Sequence, residues 1–263
     1  MTTPQMRDRV GLAIDVAREA ARLASHMRAD FSALGIETKG DPRDVVTIAD
    51  RKVEEFIVSR LNAQFGDDVL GEELGRTGTS ERLWIVDPID GTYNYVHDNP
   101  RWCVSLGFVL AGEPIIGVIC SPASGQLFVA SKGNGATRNG VPIRVSGDRF
   151  GTQPLVEVGA SSTKPVTRYL EIVERLMRSN IETRRLGSGA LGLAHVATGE
   201  TDGYVEDHIH PWDVAAGTVI VREAGGHVSD FFAGGVVDRS GPILACTPSL
   251  RGRLEALIGM PTT

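Results

Sequence analysis

Trp84-Ile85-Val86-Asp87-Pro88-Ile89-Asp90-Gly91-Thr92 is the stretch on which the reading of this chain turns. An apolar run with strand character ends in two aspartates three positions apart. Pro88 fixes a turn between them, and Gly91 lets the backbone swing toward a following helix. Both carboxylates can then face one point. Two anions held that close repel unless a proton or a cation lies between them, and hard oxygen donors favour Mg²⁺, Mn²⁺ or Ca²⁺ over a thiol-loving metal. A helix opening at Thr92 would present amides to an anion such as phosphate. The simpler alternative is an Asp-Gly turn with an aspartate N-cap.

Outward from this stretch, the neighbouring segments read as layered α and β. Upstream, Val10, Ala13, Ile14, Ala17, Ala20, Ala21 and Ala24 recur at helical spacing, which predicts one amphipathic helix over residues 5–34. Val53 to Phe65 reads as a second helix, after a charged connector from Thr38 to Asp50. Downstream, Trp102–Leu110, Pro114–Cys120 and Gln126–Ser131 are short runs punctuated by Gly and Pro, as in strands. Helical periodicity returns at Pro165–Met177, Ala190–Ala197, Val214–Glu223 and Leu250–Ile258. Helices, then a strand meander, then alternating elements imply helices packed on sheets, with no repeat and no linker at which to divide the chain.

Composition narrows the function. The 263 residues carry 27 Lys+Arg against 33 Asp+Glu, a formal net charge of −6, with 6% aromatics. That excludes neither enzyme nor binding module, but it disfavours nucleic-acid binding, which needs a basic field and stacking platforms. With 41% hydrophobic and 23% charged residues, the chain has an ordinary soluble composition. The charge-free stretch Pro114–Ser131 is broken by Pro122 and Gly125 and is no membrane span. Arg7, Asp8 and Arg9 interrupt any signal-peptide core, so the expected address is the cytoplasm. Cys103, Cys120 and Cys246 lack CxxC spacing and read as buried small hydrophobes.

Two more acidic elements support a metal site: Gly71-Glu72-Glu73, ending a short apolar run, and Trp212-Asp213, heading a helix that runs toward Gly225-Gly226. Asp213 could alternatively be a plain N-cap. Together with Trp84–Thr92 continuing through Asn94-Tyr95-Val96-His97, and with Pro211-Trp212-Asp213-Val-Ala-Ala-Gly217 and Glu223-Ala-Gly-Gly226, these segments resemble the signature of the inositol monophosphatase family. The match extends from about residue 39 to 226 at spacings that fit throughout.

The resemblance implies an α+β fold, a layered αβαβα sandwich of the inositol monophosphatase and fructose-1,6-bisphosphatase type. It implies a single phosphatase domain over 1–263, whose first half (about 1–148) holds most metal ligands and whose second half (about 149–263) completes the substrate pocket. It also implies a Mg²⁺-dependent, lithium-sensitive phosphomonoesterase, usually a homodimer, using two or three Mg²⁺ ions with Mn²⁺ as a substitute. Carried over position by position, Glu72, Asp87, Asp90, Asp213 and the Ile89 carbonyl fall on metal ligands, while Thr92 and Asp50 fall on the catalytic threonine and its aspartate. Glu72 and the Thr92–Asp50 pair would position the attacking water and take its proton, with no phosphoenzyme. Gly91, Thr92 and Lys39 fall at the phosphate. Gly187, Ser188, Gly189, Glu206 and Asp213 fall at the alcohol, where a carboxylate acceptor suits a polyol. Tyr95, Asp98-Asn99 and His208 depart from the family pattern and bear on substrate preference.

The resulting expectation is hydrolysis of a small phosphate monoester, myo-inositol 1-phosphate first, without nucleic-acid or membrane partners. Alternatives are histidinol-phosphate phosphatase, fructose-1,6-bisphosphatase, 3′-phosphoadenosine 5′-phosphate phosphatase, and a non-catalytic regulatory protein. Three other signals rank lower. Gly187-Ser-Gly-Ala-Leu-Gly192 is a literal GxGxxG, but the preceding Ile181–Leu186 is too charged for a buried parallel strand, and no βαβ unit is evident. His208-Ile-His210 lacks further zinc ligands. Ser161 and Ser162 lack a base partner or a nucleophile elbow.

Overall fold

A computed structural model describes residues 4–30, 34–38, 45–147, 153–161 and 164–259. In chain order it runs α1 (Pro4–Ala29), β1 (Glu37–Thr38), β2 (Val45–Val46), α2 (Ile48–Phe65), β3 (Asp68–Gly71), β4 (Gly75–Arg76), β5 (Arg82–Asp90) and α3 (Thr92–Val96). A meander follows: β6 (Cys103–Leu110), β7 (Glu113–Ser121), β8 (Gln126–Ser131), β9 (Ala136–Arg138) and β10 (Val141–Pro142). The remainder is β11 (Leu155–Val158), α4 (Val166–Arg178), β12 (Glu182–Arg184), α5 (Gly189–Thr198), β13 (Gly203–Ile209), α6 (Pro211–Glu223), β14 (His227–Val228), β15 (Gly241–Cys246) and α7 (Arg251–Ile258).

An eight-stranded sheet, ordered β10-β9-β8-β7-β6-β5-β3-β4, and a five-stranded sheet, ordered β12-β11-β13-β15-β14, form the two β layers. Helices α1 and α2 cover one face of the larger sheet, α5 and α6 lie between the sheets, and α4 and α7 cover the outer face of the smaller one. This is the layered αβαβα sandwich. One apolar cluster holds α5 and α6 between the two sheets, two more lie under the outer helical layers, and strands between two helical layers are buried on both faces.

Strand β5 shows how sequence becomes placement. Trp84 and Val86 pack toward α1 and α2, whereas Leu83 and Ile85 pack toward α5 and α6, as the two-residue period requires. Asp87 therefore continues the inner face. Strict alternation would send Asp90 to the opposite face, but the pairing of β5 with β6 shifts register between Asp87 and Asp90. Ile89 accordingly joins the outer cluster, and the two aspartates share one side.

The predicted element order holds, with differences at helix starts. Helix α2 begins at Ile48, five residues before the apolar periodicity, because the Thr47 side chain accepts from the Ala49 amide and the Asp50 carboxylate accepts from the Thr47 amide. Helix α1 ends at Ala29 rather than 34. Contrary to expectation, Glu182–Arg184 is a parallel strand, though a short one at the sheet edge. β12, α5 and β13 form strand, helix and parallel strand with β11 between them.

Helix α6 lies unusually close to the large sheet. A Cβ on Gly107 would meet Ala215 Cβ at 2.6 Å, and one on Gly117 would meet the Ala216 carbonyl at 2.2 Å. Two adjacent strands thus leave out side chains where the helix backbone crosses them, which brings the first turn of α6 against the end of β5.

Candidate active site

The last turn of β5, the first turn of α6 and the loop after β3 meet at the wall of a cavity of about 770 Å³. Carboxylate oxygens of Asp87, Asp90 and Asp213 all lie within 4.8 Å of one another. Asp213 is the third residue of α6 and not its N-cap; its Oδ2 accepts from the His210 amide at 3.0 Å, the backward half of a capping box. Burial, then the charges of Glu72, Asp90 and Asp213, push Asp87 well above the ordinary carboxylate range. Burial, then Asp90, Glu72 and Glu206, do the same to Asp213. Three mutually repelling acids, offering only hard oxygen donors, are a chemical fit for Mg²⁺ or Mn²⁺.

Asp90 is fixed from the other side of the molecule. The Ser188 hydroxyl donates to its Oδ2, as do the Ala190 amide at 2.8 Å and the Cys103 thiol at 3.6 Å; the Gly189 amide reaches Oδ1 at 3.2 Å. Burial raises this carboxyl, and the donors from the α5 N-terminus oppose the rise. Asp90 is therefore not the N-cap of α3. That position belongs to Gly91, whose φ of 91° favours glycine.

Thr92 opens α3. Its hydroxyl lies 3.2 Å from Asp50 Oδ1 and 3.1 Å from the Ile89 carbonyl oxygen, and its single proton serves one acceptor at a time. Asp50 Oδ2 is held by the Thr47 amide and hydroxyl, both at 2.7 Å. Burial, partly offset by Thr47, pushes Asp50 up to about 6. Glu72 is half-buried and borders the cavity, beside Gly91 and Thr92.

Glu206 lines the same cavity beside Gly187, Ser188 and Gly189. It is 9% exposed and so is no loose strand-end acid; burial pushes it up to about 7. Ser188, expected at the alcohol, lines the cavity beside Glu206 and donates its hydroxyl proton to Asp90. The glycine-rich turn directs its amides at that same carboxylate, which leaves them unavailable to a dinucleotide. Lys39 and Ser162 lie outside the described residues. His210 stacks on Trp212 with centroids 4.7 Å apart and meets Ser240 Oγ through Nδ1 at 2.8 Å. The cysteines are buried as expected, but Cys103 also touches Asp90.

Two shaping residues escaped the sequence reading. Glu54 is fully buried and accepts from the amides of Glu73 at 2.9 Å and Leu74 at 2.7 Å, which holds the loop that carries Glu72. Its signal was its position one helical turn after Asp50. Tyr204, two residues before Glu206 on the same strand face, is the other.

Comparison with known proteins agrees with this geometry. The model of the inositol monophosphatase family matches residues 6–259. A fructose-1,6-bisphosphatase/inositol-1-monophosphatase of Thermotoga maritima is 40% identical over 196 residues, 74% of this chain and 75% of that one. Nus factor SuhB of Escherichia coli K12 is 34% identical over 248 residues, 92% of each chain. The crystal structure of the extragenic suppressor protein suhB from Bartonella henselae superposes with a TM-score of 0.87 at 34% identity, covering 96% of this chain and 98% of that one. A family match over nearly the full length, on a fold and an acidic cluster of this kind, makes the protein a member of the inositol monophosphatase family.

Proposed function

We propose that the protein is a Mg²⁺-dependent phosphomonoesterase acting on a small polyol phosphate, with myo-inositol 1-phosphate as the foremost substrate. The observation that carries this reading is the Asp87–Asp90–Asp213 cluster beside the Thr92–Asp50 pair, at a cavity that Glu206 also lines. Residues from both halves of the chain contribute, so we take residues 1–263 as one phosphatase domain.

Asp87, Asp90, Asp213, Glu72 and the Ile89 carbonyl would hold the divalent ions. Such ions supply Lewis acidity, which activates water and offsets charge on the phosphate. With its proton directed at Asp50, the Thr92 hydroxyl turns lone pairs toward the cavity, so it can take a proton from the attacking water as it passes its own to the Asp50 carboxylate, which ends as the acid. Glu72 borders the same space and completes the orientation. The Gly91–Thr92 backbone borders the phosphate position, and Glu206 accepts from hydroxyls of the leaving alcohol. Water attacks phosphorus in line, the ester P–O bond breaks, and the alkoxide takes up a proton, giving free alcohol and inorganic phosphate.

Phosphate release from myo-inositol 1-phosphate, histidinol phosphate, fructose 1,6-bisphosphate and 3′-phosphoadenosine 5′-phosphate, with Mg²⁺, with EDTA and with Li⁺, tests the proposal. Expected is Mg²⁺-dependent, Li⁺-inhibited release with preference for the inositol ester. Folded protein that releases phosphate from none of the four would overturn it. A second reading, a regulatory role independent of catalysis, is favoured by the SuhB relative being named a Nus factor.

A further inference from the structure

Three glycines surround one tyrosine, Tyr204, beside Glu206 in the cavity wall. A Cβ on Gly192 would meet Tyr204 Cδ2 at 2.4 Å, and one on Gly189 would lie 3.3 Å from the Tyr204 hydroxyl. A Cβ on Gly159 would meet that hydroxyl at 2.6 Å and Glu206 Oε2 at 2.0 Å. The second and third glycines of the GxGxxG run therefore make room for a ring, and the end of β11 makes room for its hydroxyl group.

Inside this cradle Tyr204 is 1% exposed, and its hydroxyl donates to Glu206 Oε2 at 2.5 Å. A phenol-to-carboxylate bond of that length is strong and directional. It consumes one carboxylate oxygen and leaves Oε1 to accept from a ligand. A glutamate side chain has three rotatable bonds, and fixing them beforehand removes an entropic cost from binding.

Resting on the polyol-phosphate reading, we propose that Tyr204 is the positioning residue that makes Glu206 selective for hydroxyl-bearing alcohols. It touches no reacting atom. Its contribution should appear in discrimination between esters, and the chemical step common to all esters should be unaffected.

The test compares wild type, Tyr204→Phe, Glu206→Gln and the double variant on myo-inositol 1-phosphate and on p-nitrophenyl phosphate, whose leaving group carries no neighbouring hydroxyl. Tyr204→Phe removes one oxygen and keeps the ring in its cradle; a thermal melt verifies folding. Expected is a roughly five- to tenfold loss of kcat/KM for the inositol ester, mostly in KM, with the aryl ester within about twofold of wild type. In the double variant, Tyr204→Phe should add little to Glu206→Gln. Preference for the inositol ester that survives Tyr204→Phe, or equal losses on both esters, overturns the assignment. A wild type that shows no preference overturns the polyol reading, and the Tyr204 assignment with it.

Discussion

Ser188, the N-cap of α5, donates its hydroxyl to the carboxylate of Asp90 at the end of β5, 98 residues earlier in the chain. The same hydroxyl accepts from the Leu191 amide at 3.3 Å, so one oxygen both caps a helix and orients an acid of the cluster. The relation ties the layer between the sheets to the larger sheet at the point where chemistry is proposed.

Ser188→Ala should therefore weaken both functions together. Loss of the cap and of a buried charged hydrogen bond should lower stability by about 1–3 kcal/mol. With Asp90 less constrained, the Mg²⁺ concentration for half-maximal activity should rise roughly tenfold. Denaturant titration and a Mg²⁺ activity series measure the two effects.

Asp90→Asn keeps the shape and removes the charge. Phosphate release should fall at least about a hundredfold while circular dichroism stays that of wild type. A cellular role that survives this substitution would favour the regulatory reading.

The apo protein should respond to pH through its crowded acids. Folded-state values of Asp87 and Asp213 lie above the ordinary one, so the stabilisation they contribute is present at acid pH and is lost as pH rises. Neutralisation by Mg²⁺ should restore it. The rise in melting temperature on adding Mg²⁺ should thus be larger at pH 8 than at pH 5; an equal shift at both would argue against these ligands.

Glu206 obeys the same sign. Its value moves from 4.5 to about 7 on folding, so its contribution is complete below pH 4.5 and gone above about 7. In EDTA, Glu206→Gln should gain stability relative to wild type across that window, by roughly 1–3 kcal/mol at pH 8 relative to pH 4. Paired urea titrations at the two pH values measure the difference.

Most of the fold was legible because its strands and helices carry strong periodicity. Helices packed on sheets could be read from that periodicity, whereas the five-layer order came with the family resemblance; the acids at the end of β5 marked the cluster. Some of what escaped was local: Asp50 looked like part of a loop until Thr47 capped it into α2. The rest depends on partners distant in sequence. That Asp87 and Asp90 face one point was readable from Pro88 and Gly91, but not that a register shift between β5 and β6 brings it about. Nothing near Ser188 in the chain reveals that its hydroxyl will reach Asp90, and Glu54 looked like any charged helix residue although it closes the Glu72 loop.

The bare crossing of α6 over Gly107 and Gly117 bears on the spacing of the acids. Because Asp213 rides on the first turn of that helix, the helix-to-sheet clearance should set how far its oxygens stand from those of Asp87 and Asp90. A single methyl at position 107 would lift the helix and spread the donors, toward the 2.3–2.6 Å shell of Ca²⁺ and away from the 2.0–2.1 Å shell of Mg²⁺. Gly107→Ala should accordingly raise the ratio of Ca²⁺ to Mg²⁺ affinity, as isothermal titration can read; an unchanged ratio would mean that the two absent side chains have no hand in the choice of cation.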